Sequence, residues 1–148
     1  MTTTTQAYAA IRDRLESQIT AVPLRWQNED SNPLEDSPTS FIYVEFLTER
    51  AFIASYGGGR GSNRYRNVAR VDAYVFVPRG VGLSVATDLA ETVAAALRSY
   101  RTADVSCFDA STRPGGNGSD ITPPGLSSEV DNYFWAMAEA SLYFDQTG

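Results

Sequence analysis

The sequence predicts a single α+β domain: a mixed, mostly antiparallel sheet of about five strands with two helices packed on it. Three observations lead there. Two segments place apolar residues at helical steps. Several others are rich in aromatic and β-branched residues, two of them with strict apolar alternation. These elements follow one another as helix, three strands, helix, two strands, with no internal repeat. A chain of 148 residues suits one domain and buries roughly 70% of its unfolded surface.

The first helix opens at Thr3 and Gln6, which have capping-box spacing. Ile11, Leu15, Ile19 and Val22 then share one face, preceded by Tyr8, and Pro23 ends the helix. Such a face packs on the chain's own sheet. Trp26–Ser40 reads as a polar connection carrying Glu29, Asp30, Glu35 and Asp36 and stiffened by Pro33 and Pro38. It lacks the D-x-[DN]-x-[DN]-G order of a calcium loop, so a solvated acidic segment is expected.

Phe41–Thr48 and Ala51–Tyr56 read as strands, and Tyr65–Val77 as a longer one. In that third strand Val71, Ala73, Val75 and Val77 lie on one face, and Arg70, Asp72, Tyr74 and Phe76 on the other. Residues 51–77 form an extended hairpin. Its tip carries Gly57, Gly58, Gly59 and Gly61. No G-x-G-x-x-G register is present and the turn joins strand to strand, so a flexible hairpin tip is expected in place of a phosphate loop.

After the turn Pro78–Gly82, Ser84 is the expected N-cap of a second helix running to about Arg101. Val85, Leu89, Val93 and Leu97 with Ala86, Ala90 and Ala96 form its apolar side. Asp88 and Glu91 toward the start, and Arg98 and Arg101 near the end, suit the helix dipole. Val105–Phe108 reads as a short strand holding Cys107, a structural thiol between Asp104 and Asp109. Arg113–Ser128, rich in glycine and proline, reads as a long mobile loop. Tyr133–Phe144 alternates as a last strand, with Phe134, Ala136, Ala138, Ala140, Leu142 and Phe144 on one face.

Composition narrows the chemistry. The chain has no histidine and a single cysteine, and its 12 cationic residues are all arginine. Zinc sites, imidazole-based nucleophile systems and lysine-dependent chemistry therefore have no candidates, and neither catalytic residues, cofactor nor metal are expected. A lone cysteine suits a reducing compartment. The longest apolar run, Tyr133–Ala138, is too short to cross a bilayer, and Met1–Gln6 carries no secretory pattern, so a cytoplasmic protein without membrane contact is expected.

Net charge is −6, unevenly spread. Residues 51–101 hold seven arginines against three acids, residues 1–50 four against eight, and residues 102–148 one against seven. Arg60, Arg64, Arg66 and Arg70 concentrate on the hairpin. Three readings follow: phosphate binding, docking onto the acidic residues of an identical neighbour, or solvated charge. The net charge argues against a general nucleic-acid binder. The separation of charge favours head-to-tail self-assembly, in which arginine forks meet carboxylates. Glu29, Asp30, Glu35 and Asp36 are the candidate partners.

Taken in order, several features form one pattern. A short N-terminal helix precedes Trp26-Gln27-Asn28-Glu29 and a proline loop. The strand Phe41–Leu47 follows, then the arginine hairpin leading into Val71-Asp72-Ala73-Tyr74-Val75-Phe76-Val77-Pro78. Gly80 and Gly82 open an alanine-rich helix, and an aromatic strand ends the chain. This resembles the tail-terminator proteins of long-tailed bacteriophages and phage-like particles, the lambda minor tail protein U type. Val68-Ala69 stands where that pattern has a glycine. The resemblance implies a structural, non-catalytic protein assembled in the host cytoplasm as a homo-hexameric ring. It would sit at the head-proximal end of the tail, against the tail tube protein on one side and a head-closure or neck protein on the other. DNA would only pass through its lumen. The segment 113–128 is a candidate docking loop that orders on assembly. The alternatives are a tail tube or head-closure subunit, and a small carboxylate enzyme using Glu45 or Asp72 with an arginine.

Overall fold

A computed structural model describes residues 2–29, 39–117 and 132–148. Helix α1 spans Thr4–Gln18. Strands β1 (Leu24–Trp26), β2 (Phe41–Ser55) and β3 (Arg64–Pro78) follow, then helix α2 (Leu83–Leu97) and strands β4 (Ser106–Asn117) and β5 (Tyr133–Thr147). The strands form one sheet in the order β1-β2-β3-β5-β4. β1 runs parallel to β2 and every other pairing is antiparallel. The expected α+β architecture is present.

The capping box forms as its spacing requires. The Gln6 amide donates to Thr3 Oγ1 at 3.2 Å, and the Thr3 amide donates to Gln6 Oε1 at 2.8 Å. Ala7, Ile11 and Leu15 are the buried face of α1. The helix stops at Gln18, not at Pro23, because Ile19 is already extended, at φ −113° and ψ 99°. Ile19, Thr20 and Val22 are β-branched and favour that geometry. The chain then enters β1, so Trp26 belongs to a strand and not to the polar connection. Asp30, Pro33, Glu35, Asp36 and Pro38 lie outside the described residues.

The strands expected at Phe41–Thr48 and Ala51–Tyr56 are one strand, which ends at Ser55. The break expected at Glu49–Arg50 is a register shift between Thr48 and Arg50 against β3, a bulge that bends the strand without ending it. Val68 and Ala69 stand at this bulge: Ala69 pairs with Thr48 and is buried, and Val68 pairs with Arg50 across the shift.

The second helix begins two residues earlier than expected and ends sooner, at Leu97 and not near Arg101. Gly82, at φ 90°, is its N-cap, and Ser84 lies inside its first turn without a capping bond. Arg98 is already extended, Ser99 turns the chain at φ 58°, and Arg101 bridges to Ser106. With these bounds neither acids in the first turn nor bases in the last serve the dipole.

β4 is the largest departure. It extends well past Phe108, and residues 113–117 of the expected loop are strand, while 118–131 lie outside the described residues. Proline and glycine suggest a loop, but β4 is an edge strand, where a missing N–H breaks no ladder bond if it faces outward. Gly115 lies against the Trp135 indole, where an added Cβ would fall 2.3 Å from the ring.

Both helices pack on one sheet face. Ile11, Leu15, Ala90, Val93 and Leu97 meet Val71, Val75, Ala138, Ala140 and Leu142 in one core. The alanines of α2 let its backbone approach the sheet. Cys107 is buried on this side, and burial pushes its thiol up to about 11, as a structural cysteine requires. On the opposite face Phe41, Tyr43, Phe76 and Tyr133 form a second cluster, flanked by Tyr74 and Trp135. No described helix is long and apolar enough to cross a membrane.

Candidate functional site

The outer halves of β2 and β3, with the end of β5, form an arm. In β2 burial stops after Glu45, and most residues from Thr48 to Ser55 are exposed. The arm's tip is a defined turn. Ser62 donates to the Gly59 carbonyl at 3.1 Å, and Asn63 and Gly148 exchange two backbone bonds of 3.1 and 3.0 Å. An added Cβ on Gly58 would fall 2.3 Å from the Ser62 carbonyl oxygen, so the turn requires glycine there.

Three of the four hairpin arginines have partners within the sheet. Arg66 donates through Nε and Nη2 to the two oxygens of Asp145 at 2.9 and 3.0 Å, and its guanidinium lies 4.2 Å from the Tyr143 ring centre. Arg64 reaches the same carboxylate at 3.1 Å. The bond to Arg66 holds the Asp145 carboxyl below its usual range. Arg70 donates to Asp72 at 2.9 Å and to Glu49 at 3.2 Å, with Glu139 at 3.8 Å. Arg60 is exposed at the tip and has no ion-pair partner among the described residues.

Of the candidate acids only Glu29 is described, and it does not meet the hairpin within the chain. It accepts from Arg12 of α1, which also pairs with Glu16 at 2.8 Å and lies over Trp26. Asp30, Glu35 and Asp36 lie outside the described residues.

The residues that sequence reasoning missed are Asp145, Glu49 and Glu139. They become partners only through register. Glu45 lies directly opposite Asp72, and Asp72 directly opposite Glu139, so three carboxylates cross β2, β3 and β5 in one row. Glu45 is 7% exposed and Asp72 2%. Glu45 Oε1 and Trp135 Nε1 are buried without a hydrogen-bond partner among the described residues. Burial pushes the Glu45 carboxyl up, Asp72 adds to this and Arg70 opposes it. Burial raises Asp72 as well, against its bond to Arg70. Beside them burial pushes the Tyr43 hydroxyl up to about 12. The pair and arginine named for a carboxylate enzyme are thus adjacent. Two cavities, of about 430 and 320 Å³, are lined by other residues, and no described group of acids is placed to hold a metal ion.

A carboxyl whose folded value is raised penalises the fold at neutral pH, and the penalty fades as pH falls through that value. Glu45 and Asp72 should therefore make the protein more stable as pH falls from 7 through their raised values. Asp145 acts in the opposite sense, losing its contribution only as pH falls through its lowered value. Glu45→Gln should raise stability at pH 7 by up to about 1 kcal/mol, the range of like charges directly opposite in a sheet. It should also flatten the gain on acidification. Urea unfolding of both chains over a pH series downward from 7 checks this.

No family model matches the sequence, and no curated relative does. Among 23 matching chains of solved structures, one is 19% identical over 94% of this chain and 95% of its own, with a TM-score of 0.53. Its name carries no activity. The likeness is one of fold.

Proposed function

We propose that this protein is a structural component of a phage-like tail, a terminator that caps the finished tube as a ring and presents a surface to the neck. The observation carrying this reading is the long arm, supported on three strands and ending in Arg60, which has no ion-pair partner among the described residues. The β2 side of this arm and its tip are exposed, which suits contact with a neighbour, while Ala69, Leu142 and Phe144 hold the other side to the core. The segregated charge and the order of elements support the same reading. A tube grows because each ring presents a free face that matches the next, and a cap binds that face while presenting a different one. The adjacent Glu45, Asp72 and Arg70 favour a second reading, a carboxylate enzyme, because raised acids cluster at functional sites. Their burial and the aromatic cluster beside them fit a packed sheet face equally well.

Removal of the gene from the strain that makes the particle tests the proposal. A terminator is needed to end tube growth, not to build tube. Filled heads and unjoined tubes are expected, with some tubes longer than normal. Absence of any tube would identify a tube subunit. Normal-length tails beside leaky or empty heads would identify a head-closure protein. Normal tails on filled heads would exclude all three.

A further inference from the structure

We propose that the turn before α2 is a socket for the hairpin tip of a second copy of this chain, with Tyr56 as the plug. This rests on the self-association reading and names the two surfaces that meet. β2 and β3 each run 15 residues, so tip and base lie about 50 Å apart at roughly 3.3 Å per residue. The tip cannot fold back onto its own base.

At the tip, Tyr56 is 85% exposed, and Phe52 is exposed behind it. At the base, a cavity of about 430 Å³ is lined by Pro78, Arg79, Gly80, Gly82, Leu83 and Phe134. Val81, Leu83 and Val85 form an exposed apolar rim, unusual for a loop and a first helical turn. Gly80 and Gly82, at φ 87° and 90°, have open space where a Cβ would stand.

The lining states what it accepts. Pro78, Leu83 and Phe134 offer apolar walls, and Arg79 has no ion-pair partner among the described residues. One guanidinium beside apolar walls suits the flat face of an aromatic ring better than an aliphatic chain or an acid alone. The chain already uses this pairing internally, as with Arg25 over Phe41 at 4.6 Å and Arg66 over Tyr143 at 4.2 Å. Charge agrees: the exposed Asp88 stands on α2 within two turns of Leu83, opposite in sign to Arg60 at the tip. Plug and socket sit at opposite poles, so each copy uses both, and the contact runs head to tail into a ring or a filament. One aromatic plug buries about 150–250 Å², which makes each contact weak and assembly dependent on concentration.

Sedimentation of the full chain at high concentration tests this. Tyr56→Ala removes the plug and Leu83→Asp spoils the socket. Both positions are exposed, and an acid in the first turn suits the helix dipole, so both chains should fold. Each alone should associate at least tenfold more weakly than the parent. Mixed in equal amounts, one intact plug faces one intact socket, so 1:1 dimers and nothing larger should form. Variants that assemble like the parent, or a mixture that stays monomeric while the parent assembles, overturn the proposal and leave self-association standing. A parent chain that is monomeric at every concentration overturns both. If Leu83→Asp loses binding to a purified tail tube protein while self-association is intact, the socket belongs to that partner and the proposal falls.

Discussion

Phe76→Ala is expected to lower the unfolding free energy by about 3–5 kcal/mol, the usual cost of truncating a buried phenylalanine. That is a large share of the roughly 5–15 kcal/mol a domain of this kind has. Phe76 is fully buried, but on the sheet face away from both helices. Its ring stacks on Phe41 at 4.9 Å and meets the edge of Tyr133 at 6.2 Å. Truncation leaves a cavity among rings held by three different strands, which cannot collapse together. Urea unfolding with an unchanged denaturant slope is the measurement. A loss below about 1 kcal/mol would mean that this face is not a packed second core. Phe52→Ala, at an exposed position on the arm, is the control and should change stability by no more than about 0.5 kcal/mol.

Arg66→Glu should cost about 1.5–3 kcal/mol, the range for hydrogen bonds to charged groups, whereas Arg60→Glu should leave stability unchanged. Arg66 holds both oxygens of Asp145 and covers Tyr143, so a glutamate there removes a bidentate pair and sets two acids side by side. Asp145 also anchors the chain start, its carbonyl accepting from the Thr2 amide at 3.1 Å. The two variants separate stability from assembly. Arg60→Glu should weaken association, more so at low salt, where exposed charges are least screened. Arg66→Glu should lower stability whether or not the protein assembles. The acid limb gives a second check. Stability contributed by Asp145 is present above its ordinary value near 3.9 and is lost as pH falls through its lowered folded value. That loss should shrink in Arg66→Glu. Equal stability of Arg66→Glu and the parent at pH 7 would rule out a structural role for this pair.

Much of the fold follows from local pattern. The apolar steps Ile11 and Leu15 and the alternations through Val71–Val77 and Phe134–Phe144 mark buried faces that the structure reproduces. These signals are local because the periods of helix and strand are properties of the backbone. The candidate site was legible only in part. The arginines are visible as a charge cluster, but their partners are not: Asp145 lies 79 residues from Arg66. No local period states which strand lies beside which.

By itself, then, the sequence determined the two helices and most of the strands, the capping box at Thr3 and Gln6, the inward faces and the absence of histidine and lysine side chains. Tertiary structure decided the rest. Pairing with β3 joined the segments expected as two strands into one bulged strand, Phe41–Ser55, because a ladder tolerates an extra residue that propensity reads as a break. An outer position let Pro114 and Gly115 remain in β4, against Trp135. Register set Glu45, Asp72 and Glu139 in a row and gave Arg66 its carboxylate. In each case the deciding contact joins residues far apart in the chain, and its energy exists only once the sheet has formed.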